Sequence, residues 1–333
     1  MDLNIVWFIL VTVLFTGFFI LEGFDYGVGM LLCGRSIEER SQFIRTIGPV
    51  WDGNEVWMIT AGGAMFAAFP HVYATMFSTF YLALFLMLLA LIMRGVAFEL
   101  RGKIKKPDWI NFWDGAIVFG SFVPALLWGV AFANLLQGLP IDSEMHYTGN
   151  FFDLLTPYTV FTGIFFVLLF LFHGMTFLQI KIADEKILES LRKKSSCVGA
   201  AAWAVGFAFI MLTAYYTDIQ SKFVGVIIFA FGDGTIWSAR HMIKIGHQKS
   251  AFICTTVSVV LTSLAWFVAL FPRLMVSSLS PDFSLTIYNA ASTDYTLTIM
   301  TVAAVLFVPV VLLYQSWTYK IFKDRVTPAD VHH

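Results

Sequence analysis

Charged residues are scarce in this chain of 333 residues. Asp, Glu, Lys and Arg together make up 13% of it, whereas 58% of the residues are hydrophobic and 17% are aromatic. The charged fraction is about half that of a typical soluble domain. So few polar side chains cannot cover the surface of a water-soluble protein, and a soluble globular fold is excluded.

Cysteine is almost absent as well. Cys33, Cys197 and Cys254 are scattered and form no C-x-x-C motif, which indicates neither a disulfide framework nor a zinc site. The net charge of −1 offers no basic surface for nucleic acid. Low-complexity tracts and Pro- or Gly-rich linkers are also missing, so we expect one integral membrane domain over residues 1–333.

Long apolar runs are what the chain has instead. Segments such as "FYLALFLMLLALIM" and "TVFTGIFFVLLFLF" approach or reach, with their flanks, the roughly 20 apolar residues that cross a bilayer. Because backbone groups in lipid must be hydrogen-bonded internally, the runs predict an all-α polytopic membrane protein. The nine predicted spans are 5–29, 55–69, 72–98, 114–137, 157–180, 197–216, 223–238, 250–271 and 295–317.

Basic residues predict the orientation of these spans. Apart from Arg94, Lys222 and Arg273, every Lys and Arg falls in an odd-numbered connection or after the last span. Since basic loops stay in the cytoplasm, we expect the N-terminus outside and the C-terminus inside. The W-x-V-A shared by the fourth and eighth spans also suggests two four-helix repeat units, 1–140 and 155–275, and a final helix, 293–320.

Acidic residues cluster toward the predicted cytoplasmic side. Glu22 and Asp25 are three residues apart, as are Asp52 and Glu55, so each pair shares one side of its helix. Carboxyls that are crowded together and withdrawn from water tend to retain a proton. One interpretation is a proton path from the cytoplasm through these four acids, with Arg94 as their charge partner or gate.

A structural interpretation of the same residues stays open. Arg94 would neutralise one acid in a buried ion pair, and Asp52 would cap the second span. Asp114 is expected at the N-terminus of the fourth span, where the helix dipole favours an acid, with an interhelix or intersubunit contact as the alternative. Asp233, within "FGDGT", needs a polar partner on another helix or subunit.

His173 and a glycine segment complete the candidate residues. His173, in "LFHGMTF", lies inside a span; we expect a packing role, with metal or haem ligation as the minor alternative and no metal site on this chain. Gly62 and Gly63, in "ITAGGAMFAAF", present a small-residue face of the kind that lets membrane helices pack closely. Together with Trp57, the same glycines are alternative lining for an oxygen route.

Five segments together carry a family resemblance. "GFDYGVGML", "WDGNEVWMITAGGAMFAAFP", "YATMFSTFYLALFLMLLALIMRGVAFELRGK", "FGSFVPALLWGVAFANLLQGLP" and "YTGNFFDLLTPY" resemble subunit II of the cytochrome bd-type quinol oxidases of bacterial respiration. The match is dense from about residue 20 to 160 and looser afterwards.

The resemblance implies a nine-helix subunit of the bacterial cell membrane, paired with subunit I. Subunit I would hold two haems b and one haem d and this chain none, while quinol would be the substrate of the complex. Small single-helix subunits, quinone and lipid are further expected partners. In the family, acids at the positions of Asp25 and Asp52 belong to a proton route.

The competing hypothesis is an ion-coupled transporter that uses the intramembrane acids, with a broken helix at "FGDGT".

Overall fold

Helices form almost the whole of the computed structural model, which describes residues 2–219 and 223–331. A two-stranded antiparallel sheet, β1 (Arg273–Met275) and β2 (Leu285–Thr286), lies in the last long connection. The helices are α1 (Leu3–Met30), α2 (Ile37–Ile47), α3 (Trp51–Ala68), α4 (Pro70–Thr79), α5 (Tyr81–Leu100), α6 (Pro107–Gln137), α7 (Pro157–Lys181), α8 (Glu185–Tyr216), α9 (Phe223–Lys244), α10 (Gln248–Leu270) and α11 (Asp294–Ile321).

Eight of the described helices, α1 and α5 to α11, are long and apolar enough to cross a membrane. The predicted polytopic helical fold is therefore confirmed. The second predicted span corresponds to α3, which has 18 residues and is not among the eight. The count of nine spans, the outside N-terminus and the two repeat units stay predictions, and Lys222 lies outside the described residues.

The third predicted span, 72–98, is not one helix. It is divided at Phe80, where the backbone (φ −96°, ψ 17°) leaves helical geometry between α4 and α5. Just before this break, the hydroxyls of Ser78 and Thr79 donate to the carbonyls of Ala74 and Thr75. Such hydroxyl bonds often bend a helix. The prediction of a continuous helix was wrong because average hydropathy does not report hydrogen bonds from side-chain hydroxyls to backbone carbonyls.

Two helices begin well before the hydrophobic run that predicts them. α6 begins at Pro107, a residue suited to the first helical position, instead of at 114. α8 begins at Glu185 instead of 197, because the Asp184 side chain accepts hydrogen bonds from the N–H groups of Lys186 and Ile187. A proline at the first helical position marks the start of α6 and the Asp184 cap sets that of α8, and hydropathy registers neither.

A contact between two glycines fixes α1 against α7. A Cβ at Gly27 would lie 2.1 Å from the carbonyl oxygen of Phe170, and a Cβ at Gly174 would lie 2.5 Å from the carbonyl carbon of Gly27. No other residue type fits at this backbone separation. Beside the contact, rings such as Phe19, Phe166 and Trp266 pack into the aromatic core of the bundle.

The connections gather at two ends of the bundle. At one end, which we call the basic end, an Arg35 N–H donates to the Ser190 hydroxyl (3.1 Å) and the Val326 N–H donates to the Lys181 carbonyl (2.7 Å). At the opposite end, the Leu139 N–H donates to the Val276 carbonyl (2.9 Å). This grouping agrees with the division into odd and even connections that the Lys and Arg positions predict.

The last helix has little side-chain packing with the rest of the chain. Within α11 only Leu297 is buried. The Trp7 indole of α1 donates to the Leu297 carbonyl (3.2 Å) and to the Thr301 hydroxyl (3.1 Å). Hydrogen bonds, more than apolar burial within the chain, therefore hold α11 in place.

The predicted orientation can be tested at Cys33, which is exposed at the basic end. In a variant with Cys197→Ser and Cys254→Ser, a membrane-impermeant maleimide should label Cys33 in inverted vesicles and leave it unlabelled in sealed right-side-out vesicles. The opposite pattern would reverse the orientation. Cys33→Ser in the same background controls for non-specific labelling.

The glycine contact can be tested by adding one methyl group. Gly27→Ala should destabilise the folded protein by about 1–3 kcal/mol, because the new Cβ overlaps the backbone of α7. Gly115→Ala is the matched control, since a Cβ there meets no atom within 4 Å and Ala is the better helix former. Unfolding in detergent micelles measures both, and equal stabilities would contradict the close contact.

Candidate functional site

Three acids and one arginine meet inside the bundle. We define the acid cluster as Glu22 and Asp25 of α1, Glu55 of α3 and Arg94 of α5. Glu22, Asp25 and Arg94 are fully buried, and the Arg94 guanidinium forms an ion pair with the Glu22 carboxylate. Glu55 is partly buried and interacts electrostatically with Arg94 and Glu22. The structure thus gathers four of the five residues that the sequence assigns to the proton path and its charge partner.

A glycine in α6 positions Arg94. A Cβ at Gly120 would lie 2.4 Å from Cβ of Arg94 and 2.5 Å from the Ala90 carbonyl oxygen, so only glycine lets α6 approach α5 at this point. The guanidinium carbon also lies 4.9 Å from the centre of the Tyr26 ring and 5.6 Å from that of Phe98. These cation–π contacts and the ion pair to Glu22 hold the guanidinium beside α1.

Several polar atoms of the acid cluster have no hydrogen-bond partner among the described residues. They are buried, and they comprise Oε2 of Glu22, Oδ1 of Asp25, Nε and Nη2 of Arg94 and the neighbouring Tyr26 hydroxyl. Buried polar atoms are normally satisfied by protein or ordered water. With three acids facing one guanidinium, the cluster has the chemistry to bind and release protons or water.

Asp25 also ends a series of hydrogen bonds that reaches α11. The Asn54 side-chain N–H donates to Oδ2 of Asp25 (2.7 Å), and Oδ1 of Asn54 accepts from the Tyr319 hydroxyl (2.8 Å) and from the Gln315 amide (3.3 Å). The Trp57 indole donates to Oε1 of Gln315 (2.7 Å). The sequence predictions missed Asn54, Gln315 and Tyr319. Their signal was polarity alone: Asn54 lies between two acids, and Gln315 and Tyr319 are four residues apart.

Asp52 lies at the surface, apart from the buried acids. It occupies the first turn of α3, where the N-cap residue is Val50 and no side chain makes a capping hydrogen bond. The predicted capping role of Asp52 is therefore wrong, because the helix begins one residue before it. Asp52 interacts electrostatically with Glu55, which connects it to the acid cluster.

Asp114 belongs to a separate ion site at the basic end. Its buried carboxylate lies 2.8 Å from Nη1 of Arg40 and 2.5 Å from Nε of Arg101. Since α6 begins at Pro107, the predicted place of Asp114 at the helix N-terminus is wrong. Its carboxylate instead joins α2, the end of α5 and α6.

Asp233 is buried between α8 and α9. A Cβ at Gly206 would lie 2.3 Å from Oδ1 of Asp233, and this oxygen has no hydrogen-bond partner among the described residues. α9 continues from Phe223 to Lys244 through the "FGDGT" segment. The broken helix that the transporter hypothesis expects there is absent from α9.

His173 makes two contacts that fix its ring. Nδ1 lies 2.8 Å from the Thr255 hydroxyl and Nε2 lies 3.1 Å from the Ile20 carbonyl oxygen, and the ring stacks on Phe252. With both nitrogens engaged, the ring does not fit the role of a haem or metal ligand. Within residues 2–219 and 223–331, no group of three or more His, Cys, Asp or Glu is placed to hold a metal ion.

Trp57, Gly62 and Gly63, the candidates for an oxygen route, have different surroundings within the described chain, and their role in such a route stays a prediction. The Trp57 ring fills the space beside Gly17, where a Cβ would lie 2.3 Å from the ring. A Cβ at Gly62 or Gly63 would meet no atom within 4 Å. These two glycines therefore do not provide, within the described chain, the helix packing predicted for them.

The chain is similar over nearly its whole length to one family of known proteins. The family model for cytochrome bd terminal oxidase subunit II matches residues 3–322. Cytochrome bd ubiquinol oxidase subunit 2 of Bacillus subtilis is 39% identical (98% of this chain, 97% of the relative), and cytochrome bd-I ubiquinol oxidase subunit 2 of Escherichia coli K12 is 37% identical (99% and 96%).

A solved structure of the bd oxidase from Geobacillus thermodenitrificans has a similar fold. One of its chains aligns with a TM-score of 0.79 at 13% identity, covering 97% of this chain and 99% of that one. The eight helices that are long and apolar enough to cross a membrane, together with these relatives, indicate a multi-pass bacterial membrane protein. The chain belongs to the cytochrome bd terminal oxidase subunit II family, so the predicted resemblance is confirmed.

The ion pair between Arg94 and Glu22 can be tested by a double-mutant cycle. Arg94→Met should cost about 3–5 kcal/mol of stability, because it leaves the Glu22 carboxyl buried without its partner. Adding Glu22→Met removes the stranded carboxyl and should recover much of the loss. Unfolding in mixed micelles gives the coupling energy, and a double variant no more stable than Arg94→Met would contradict the pairing.

Proposed function

We propose that this chain is the non-haem subunit of a quinol:oxygen oxidoreductase of the respiratory chain and that it conducts protons from the cytoplasm toward subunit I. The relatives named above are subunits of ubiquinol oxidases, which supports the reaction class. The acid cluster, with its unpartnered buried oxygens, is the observation that supports proton conduction by this chain.

The proposed path runs from exposed to buried acids. Asp52 receives protons at the surface, Glu55 is half-buried, and Glu22 and Asp25 lie inside. Electrostatic interactions connect each acid to the next along this order. Because Arg94 is paired with Glu22, Asp25 and Glu55 are the acids left to exchange a proton, and a movement of the guanidinium would gate the exchange.

The proposed reaction gives this path its direction. The two haems b and the haem d of subunit I would carry electrons from quinol to oxygen. Quinol oxidation releases protons outside, and oxygen reduction consumes protons from the cytoplasm, so charge is separated without a pump. This chain would keep the path hydrated and acidic through an otherwise apolar bundle.

The chain is also proposed to support assembly. α11 and the outer sides of α3 and α5 expose large apolar side chains, including Ile59, Phe85 and Leu313. Subunit I, lipid, quinone or a small single-helix subunit would cover such surfaces in the membrane. The ion site at Asp114 would stiffen the basic end by joining α2 and the end of α5 to α6.

Proton conduction can be tested with Asp25→Asn and Asp52→Asn in the purified complex. Each variant should assemble with its full haem content and lower the rate of proton uptake during oxygen reduction by about tenfold or more. Glu189→Gln is the control, because this exposed carboxylate pairs with Lys193 on α8, a helix that contributes no residue to the acid cluster. Loss of assembly would assign the acids to docking, and normal uptake in both variants would refute the path.

A further inference from the structure

The hydrogen bonds between α3, α11 and Asp25 have a fixed direction. The indole N–H of Trp57 is a donor and never an acceptor, so the Gln315 atom 2.7 Å from it is the carbonyl oxygen. The Gln315 amide nitrogen must then face Asn54. Because the Gln315 nitrogen donates, the Asn54 atom that faces it must be the oxygen. The Asn54 nitrogen therefore faces Asp25.

The other end of the series agrees with this assignment. When Asp25 is ionised, its carboxylate accepts hydrogen bonds and cannot donate them, so that state matches the Asn54 nitrogen at 2.7 Å. The Tyr319 hydroxyl at 2.8 Å supplies a second donor to the same Asn54 oxygen. Side-chain amides alone are ambiguous about which atom is oxygen, but here the indole, which can only donate, removes the ambiguity.

We propose that Trp57, Gln315 and Asn54 are positioning residues that deliver a hydrogen-bond donor to Asp25, so that the seating of α11 controls how readily Asp25 gives up its proton. A donor stabilises the charged carboxylate. If α11 moves away, the Asn54 amide is free to rotate and can present its oxygen, which favours the protonated carboxyl instead.

Other charges also act on Asp25. Glu22 lies on the same helix, Arg94 on α5 and Glu55 on α3, and all three interact with it electrostatically. Tyr319 of α11 faces it across Asn54. Glu22, Arg94 and Glu55 are unchanged by substitutions at Asn54 or at the groups that orient it, so the contribution of the amide can be isolated with these charges in place.

The inference rests on the proposed function only for its effect on turnover; the charge state of Asp25 can be measured directly. The experiment uses the purified oxidase complex and infrared spectra recorded over a range of pH. The carbonyl band of protonated Asp25 is identified by its loss in Asp25→Asn. Asn54→Leu removes the donor, and the double variant Trp57→Phe with Tyr319→Phe removes the groups that orient the amide while keeping their rings.

In both altered proteins the protonated band should persist to a pH about one unit higher than in the unaltered complex, because a hydrogen bond to a charged group is worth roughly tenfold in the equilibrium. Trp7→Phe is the matched control. It removes the hydrogen bond from the Trp7 indole to Leu297, near the start of α11, and leaves the hydrogen bonds between Trp57, Gln315 and Asn54 in place. The band should therefore be unchanged.

Two results would overturn the proposal. One is a band that titrates alike in Asn54→Leu and the unaltered complex. The other is a band that is displaced in Asn54→Leu but titrates normally in the double variant Trp57→Phe with Tyr319→Phe, which would show that the amide keeps its orientation without the groups that bind it through α11. Failure of the proton path is distinguishable from both, since the band would then move as expected while proton uptake during turnover stayed the same.

Discussion

The cost of placing charge in an apolar bundle is the constraint on which the rest of this structure depends. Arg94 is carried on α5 and Glu22 on α1, and each would be expensive to bury alone in the membrane. Their pairing requires α1 and α5 to be held close together: Gly120 permits the approach of α6 to α5, and the contact of Gly27 with Gly174 fixes α1 against α7. Thus the smallest residues in the chain determine where its charges meet.

Hydropathy and charge position predicted much of this architecture. The apolar runs located the eight described helices that are long and apolar enough to cross a membrane, and the distribution of Lys and Arg predicted which connections share an end of the bundle. The same signals missed the break at Phe80 and the early starts of α6 and α8. Hydroxyl bonds, a proline at the first helical position and one capping side chain decide those features, and their effect on local geometry is not a property of average hydrophobicity.

The candidate site was predictable only in part. Spacing of three residues indicated that Glu22 and Asp25 share a helix face, and both are buried in the cluster with Arg94. The role of Asn54 was not predictable in this way, because its partners Gln315 and Tyr319 are more than 250 residues away along the chain. A partnership over such a distance is created by the packing of α11 on α3, which no local pattern encodes.

The position of α11 far along the chain from α1 and α3 bears on how the protein matures. Membrane proteins are made from the N-terminus onward, so α1, α3 and α5 exist before α11 does. Asp25 and Asn54 are thus made first, and the donors from Gln315 and Tyr319 arrive with α11. Until α11 has been made, the nascent bundle contains its buried acids without the groups that orient the amide beside them. The partners of Asn54 are therefore synthesised more than 250 residues after the amide that they orient.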